Sequence, residues 1–73
     1  MHVFSGSKLK AHRIAHGQTR EQLAVAVGKS HATIVAYELG RAVPGADTVA
    51  RLADGIGRDP GDLFDVVPNT RVA

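Results

Sequence analysis

The chain has no cysteine and no tryptophan in its 73 residues. Without thiols there is no disulfide and no thiolate metal site, and a cytoplasmic location is the expectation. Aromatic residues are few, one tyrosine and two phenylalanines, so the core has to be aliphatic. No apolar run approaches the ~18 residues of a bilayer span, and no signal-peptide pattern is visible. A membrane is therefore not an expected partner. A chain this short makes one domain, with a core that needs well-packed helices or self-association to be stable. No serine, histidine and acid arrangement suggests a nucleophile, and short helices rarely enclose the deep pocket of an enzyme. Neither an enzymatic activity nor a cofactor is expected.

What the chain does have is the stretch Thr19–Tyr37. Thr19 is an N-cap type of residue and Gln22 follows at capping-box spacing, where each side chain satisfies an orphan backbone N–H. Leu23, Ala24 and Val27 then form one apolar helical face. Gly28 stands where a left-handed residue ends the helix. Ser30 can cap the next helix, which reads from Ser30 to Leu39 with Ile34 and Tyr37 inward, and Gly40 closes it. Two short helices with so little between them must cross steeply, as in a helix-turn-helix.

Around this unit the pattern stays helical. A helix is expected from about Ser7 to His16. A fourth begins near Pro44 and Asp47 and runs to about Gly55. Thr48, Val49, Leu52, Ala53 and Ile56 line its inner face, and Gly57 is the stop. A short fifth helix is capped by Asp59 with Pro60 in its first turn, and Leu63 and Phe64 plug the core. Residues 1–5 read as a loose start whose Phe4 folds back onto the core.

Charge is segregated along the chain. Residues 1–41 carry Lys8, Lys10, Arg13, Arg20, Lys29 and Arg41 against only Glu21 and Glu38. Residues 42–73 carry three arginines against five aspartates. The basic half holds the helix-turn-helix, the polarity expected if one face meets phosphates.

Four groups of residues resemble the lambda-repressor-like, Xre/Cro family of DNA-binding domains. They are Leu9, Arg13 and Gly17; then Thr19, Glu21-Gln22-Leu23-Ala24 and Gly28; then Ser30, Thr33-Ile34, Tyr37-Glu38 and Gly40-Arg41. Pro44, Leu52-Ala53, Ile56-Gly57 and Leu63-Phe64 complete the set. The resemblance implies an all-α, compact five-helix domain over residues 1–65, with the helix-turn-helix formed by helices 2 and 3. Residues 66–73 would be a tail, disordered or in contact with a dimer partner.

The same resemblance orients helix 1. Periodicity alone would bury Ala11, Ile14 and Ala15. The family pattern turns Leu9 and Arg13 inward, pairs Arg13 with Glu38, and leaves Ile14 exposed. Gln18 and Leu39 depart from the pattern. So does Arg20, which stands where a glutamine is usual and can meet a phosphate with full charge at a helix N-terminus.

The recognition helix would place its N-terminal residues in the major groove. The expected base-reading set is Ser30, His31, Ala32, Val35 and Ala36. An exposed stripe of Ala32, Val35 and Ala36 suits thymine methyl groups, and His31 can donate to guanine. Arg20, Lys29, Thr33 and Arg41 are the expected phosphate contacts. No Gln, Asn or Arg occupies a reading position, which points to DNA shape as part of recognition. Two surface histidines, His12 and His16, have a zinc-like spacing without a third ligand, and no metal site is expected.

Three functions are compatible with these residues. The first is a sequence-specific transcriptional regulator of the Xre/Cro repressor type, bound to double-stranded DNA as a homodimer. The second is an antitoxin or operon controller acting mainly through a protein partner. The third is an interaction module that has the fold without DNA binding, against which the basic half speaks.

Overall fold

The computed structural model describes residues 1–67. It contains, in chain order, β1 (His2–Phe4), α1 (Gly6–Ala15), α2 (Arg20–Val27), α3 (His31–Glu38), α4 (Ala46–Gly55), a single 3-10 turn (Pro60–Leu63) and β2 (Phe64–Val66). No described helix is long and apolar enough to cross a membrane.

Helix boundaries follow local chemistry. The Thr19 hydroxyl accepts from the Gln22 N–H at 3.0 Å, and the Gln22 side-chain oxygen accepts from the Thr19 N–H at 2.9 Å. This is the full reciprocal cap. Gly28 takes the left-handed conformation at φ 69° and turns the chain out of α2. Two residues later the Ser30 hydroxyl accepts from the Thr33 N–H at 3.1 Å and starts α3. Ser5 does the same for α1, accepting from the Lys8 N–H at 3.2 Å. Helix α4 starts after buried Pro44, with Gly45 at its N-cap and no side-chain capping bond.

The core is almost wholly aliphatic. Leu9, Leu23, Ile34, Leu52, Ile56 and Leu63 are its largest fully buried side chains, one from each of α1, α2, α3 and α4, one from the residue that ends α4 and one from the 3-10 turn. Each such residue stabilises the fold by about 1.5–3 kcal/mol of removed apolar surface. Phe4 and Phe64 pack against this cluster, edge-to-face at 6.2 Å between ring centres, and Phe4 meets Tyr37 in the same manner at 6.4 Å. Gly6, at the start of α1, lies against the end of α3. A Cβ there would collide with the carbonyl oxygens of Tyr37 and Glu38.

Two expectations are corrected. The first is the fifth helix, and with it an all-α architecture. Residues Pro60–Leu63 make only one 3-10 turn, after which Phe64 is extended at φ −118° and ψ 146°. The described residues hold four α-helices and a strand pair. The second is the loose start. His2–Phe4 pairs antiparallel with Phe64–Val66 in the register His2↔Val66, Val3↔Asp65 and Phe4↔Phe64. The cause is shared: burying both phenylalanines on one side of the chain ends aligns their backbones as strands. The ribbon continues through the expected boundary at Asp65, and Val67 N–H donates to Met1 O at 2.7 Å. The rest of the expected tail, residues 68–73, lies outside the described residues.

Candidate nucleic-acid interface

The centre of the α2–α3 unit is a buried carboxylate held by two arginines. Arg13 Nε donates to Glu38 Oε2 at 2.6 Å, and Arg13 Nη2 donates to Oε1 at 3.3 Å. Arg20 Nε donates to the same Oε1 at 2.8 Å. The Glu38 side chain is 1% exposed and that of Arg13 7%, whereas that of Arg20 is 37% exposed. Arg13 also donates through Nη1 to the Gln18 carbonyl at 2.7 Å, which ties the α1–α2 turn to the pair. The three helices that frame the helix-turn-helix are therefore fastened at one point. One carboxylate between two guanidinium groups leaves a net positive charge at the start of α2. Gln18, which departs from the family pattern, sits at this place with its side-chain oxygen buried and without a partner among the described residues.

An open cleft lies beside the pair. It is lined by Arg13, Gln18, Thr19, Arg20, Glu21 and His31, so the N-termini of α2 and α3 share one concavity. His31 is the first residue of α3 and is exposed, as is Ala32. Lys29 is exposed in the turn, and Arg41 is exposed just beyond α3. Basic side chains thus flank α3 along the chain at both ends.

Other expected residues are placed differently. The stripe of Ala32, Val35 and Ala36 is not uniformly open: Val35 and Ala36 are half-buried. The chain leaves α3 through left-handed Gly40, with Arg41 N–H and Ala42 N–H both donating to Ala36 O, at 2.9 and 3.4 Å. Ser30 is exposed, but its hydroxyl is occupied with the Thr33 N–H and shares a 2.9 Å hydrogen bond with the Thr33 hydroxyl. Thr33 itself is half-buried. Arg20 combines two settings, one face on Glu38 and the rest toward solvent. The Arg20–Glu38 bond went unread in the sequence because eighteen residues separate the partners and no local rule links them. The spacing of Lys8 to β2 was equally silent. Lys8 Nζ donates to Phe64 O at 2.8 Å and pairs with Asp65 at 2.9 Å. The hydrogen bond from Lys8 holds the Asp65 carboxyl below its usual value of 3.8. No group of three or more potential ligands for a metal occurs among the described residues.

Residues 6–66 match the family described as helix-turn-helix domain. The chain belongs to the helix-turn-helix family. The match spans most of its length and covers both helices of the motif. Two solved structures support the assignment. The helix-turn-helix chain is similar to the restriction-modification controller protein C.AhdI from Aeromonas hydrophila, at 27% identity and a TM-score of 0.77. The likeness covers 81% of this chain and 89% of the controller. It is also similar to the clp gene regulator ClgR from C. glutamicum, at 26% identity and a TM-score of 0.75, over 80% of this chain and 75% of that one. No curated protein matches it. Motif, fold and relatives agree with the lambda-repressor-like resemblance read from the sequence, and this helix-turn-helix protein is a DNA-binding transcriptional regulator.

Proposed function

We propose that this regulator binds a palindromic operator as a homodimer and reads each half-site with the N-terminal turn of α3 in the major groove. The observation that carries this reading is the exposure of His31 and Ala32 at that turn, with Lys29 just before it, the solvent side of Arg20 in the same cleft, and Arg41 exposed beyond the far end of α3. His31 donates to guanine N7 or O6, and Ala32 contacts a thymine methyl. Val35 and Ala36, being half-buried, add only their open edges. Ser30 Oγ accepts in the cap and shares one hydrogen bond with the Thr33 hydroxyl, which leaves the pair a single free hydroxyl hydrogen, so they act as secondary contacts. Arg20, Lys29 and Arg41 hold phosphates and set the register without reading sequence. With one polar reader per half-site, groove width and deformability supply part of the discrimination.

A second reading is favoured by one feature. Ala11, Ile14 and Ala15 form an exposed apolar face on α1. That face suits a protein partner of an operon controller, which would act together with DNA binding.

The experiment is a selection from random duplex DNA with purified protein at near-physiological salt. A palindromic motif with half-sites about one helical turn apart supports the reading. Binding confined to low salt, with no motif, reduces it to phosphate attraction.

A further inference from the structure

The ribbon formed by the chain ends has one edge guarded at Phe64, though not at Val66, and one edge with no guard among the described residues. In an antiparallel ladder, residues alternate between those bonded to the partner strand and those whose main-chain groups point outward. Met1 and Val67 are bonded to each other, and Ser5 N–H donates to Leu63 O at 2.8 Å. Val3↔Asp65 is then the bonded pair between them, and His2 and Phe4 turn their N–H and C=O groups away from β2. No cap, turn or side chain among the described residues bonds these four outward groups.

The β2 edge is treated differently. Its outward groups at Phe64 are taken, the carbonyl by Lys8 Nζ and the N–H by Gly61 O. A lysine laid across a strand edge is a common guard against further pairing. The β1 edge, His2-Val3-Phe4, has no acid, lysine, arginine or proline. Among the described residues, three large exposed apolar side chains, Met1, Val3 and Val67, lie on one face of this ribbon, which marks it as an apolar surface to explain.

We propose that the outer edge of β1 pairs with β1 of a second copy of this chain, antiparallel about Val3, to make a continuous four-stranded sheet. The edge is self-complementary in this register. His2 of one copy exchanges both main-chain bonds with Phe4 of the other, and the two-fold axis repeats the exchange. The two Val3 side chains meet as a non-bonded pair, on the face that already carries Met1 and Val67. What favours a like partner is the symmetry of the outward groups at His2 and Phe4 about Val3, and the three residues themselves bring no acid, lysine or arginine to oppose a second copy. The contact is short and well below the ~1,600 Å² of a standard interface, so association is weak in free solution. It tightens where adjacent half-sites hold two copies together, a step that rests on the operator reading above.

The test uses the absence of cysteine in the chain. In Val3→Cys the two thiols would face each other across the axis with Cα atoms about 4.5 Å apart, within disulfide range. Ile14→Cys, also exposed, reports random collision. The full chain is oxidised with glutathione disulfide and the covalent dimer is timed. The expected result is about tenfold faster cross-linking of Val3→Cys, from the raised local concentration. In parallel, His2→Pro removes one outward N–H without touching the ladder. It should lower self-association in sedimentation equilibrium while leaving the thermal melt unchanged. Equal cross-linking of the two cysteine variants overturns the interface, as does unchanged association of His2→Pro. Palindromic DNA binding with no Val3→Cys enrichment overturns this interface and leaves the operator reading intact. Enriched cross-linking in a protein that selects no motif supports the interface and removes the operator.

Discussion

Glu38 accepts from Arg13 and Arg20 at once, and the shared atom is Oε1. Burial makes this arrangement decisive. A carboxylate 1% exposed has no water to fall back on, so its charge depends on the guanidinium groups. Glu38→Gln is expected to cost about 3–5 kcal/mol, because the two guanidinium groups lose their counter-charge and one of the two acceptor oxygens becomes a donor. Arg13→Met should cost less, since Arg20 remains on Oε1. Thermal melts of the two single variants and the double variant check this. The double variant should be more stable than the sum of the singles implies, and strict additivity would remove the pair from the account.

The contact of Gly6 with the end of α3 gives a second outcome. Gly6→Ala puts a methyl group onto two backbone carbonyls that have no rotamer with which to yield. Destabilisation of about 1–3 kcal/mol or more is expected, in the range of overpacking. Gly61→Ala, with open space around it and no positive φ, is the control. Denaturant midpoints of both variants measure the contrast.

Arg41 and His31 should fail in different ways. Arg41→Ala is expected to weaken binding to all duplexes alike and to flatten the salt dependence by about one unit, the loss of a single phosphate contact. His31→Ala should instead lower discrimination at one base pair, by about 1–3 kcal/mol if the imidazole reads guanine. Titrations against the preferred duplex and its single-base variants, over a range of salt, separate the two. Equal loss on every sequence would take His31 out of the reading set.

Asp65 predicts an acid-range effect. Lys8 lowers its folded pKa, so the folded state favours the ionised carboxylate. The contribution to stability is present above the unfolded carboxyl value and is lost as pH falls through the lowered folded value. Asp65 is surface-exposed, so the effect is modest and sensitive to salt. Asp65→Asn should melt slightly below the parent protein at neutral pH and converge with it in strong acid. Parallel curves at all pH values would contradict the role of Lys8.

Much of the α2–α3 unit was legible because its signals are local. The Thr19–Gln22 cap, the Gly28 turn, the Ser30 cap and the inward Ile34 and Tyr37 each depend on residues within four positions. The burial of Leu9 and Arg13 was different. Helical periodicity pointed to Ala11, Ile14 and Ala15, and only the family pattern placed the other face inward. The ribbon was illegible for a physical reason. Each strand has three residues, too few to show alternation, and the partners lie some sixty positions apart. Phe64 after a Pro-capped turn looked like the end of a helix, whereas pairing with Phe4 extends it. The half-burial of Val35 and Ala36 depends on how α3 is seated in the fold, which no periodicity of α3 encodes.

The most direct test of the central claim is to follow backbone amide signals by NMR as a duplex recovered by selection is added. The account predicts the largest shifts at Arg20, at Lys29 through Thr33 and at Arg41, with the middle of α4 unchanged. Saturable binding that leaves the amides of His31, Ala32 and Thr33 unmoved would contradict the assignment of the α3 N-terminus as the surface that reads DNA.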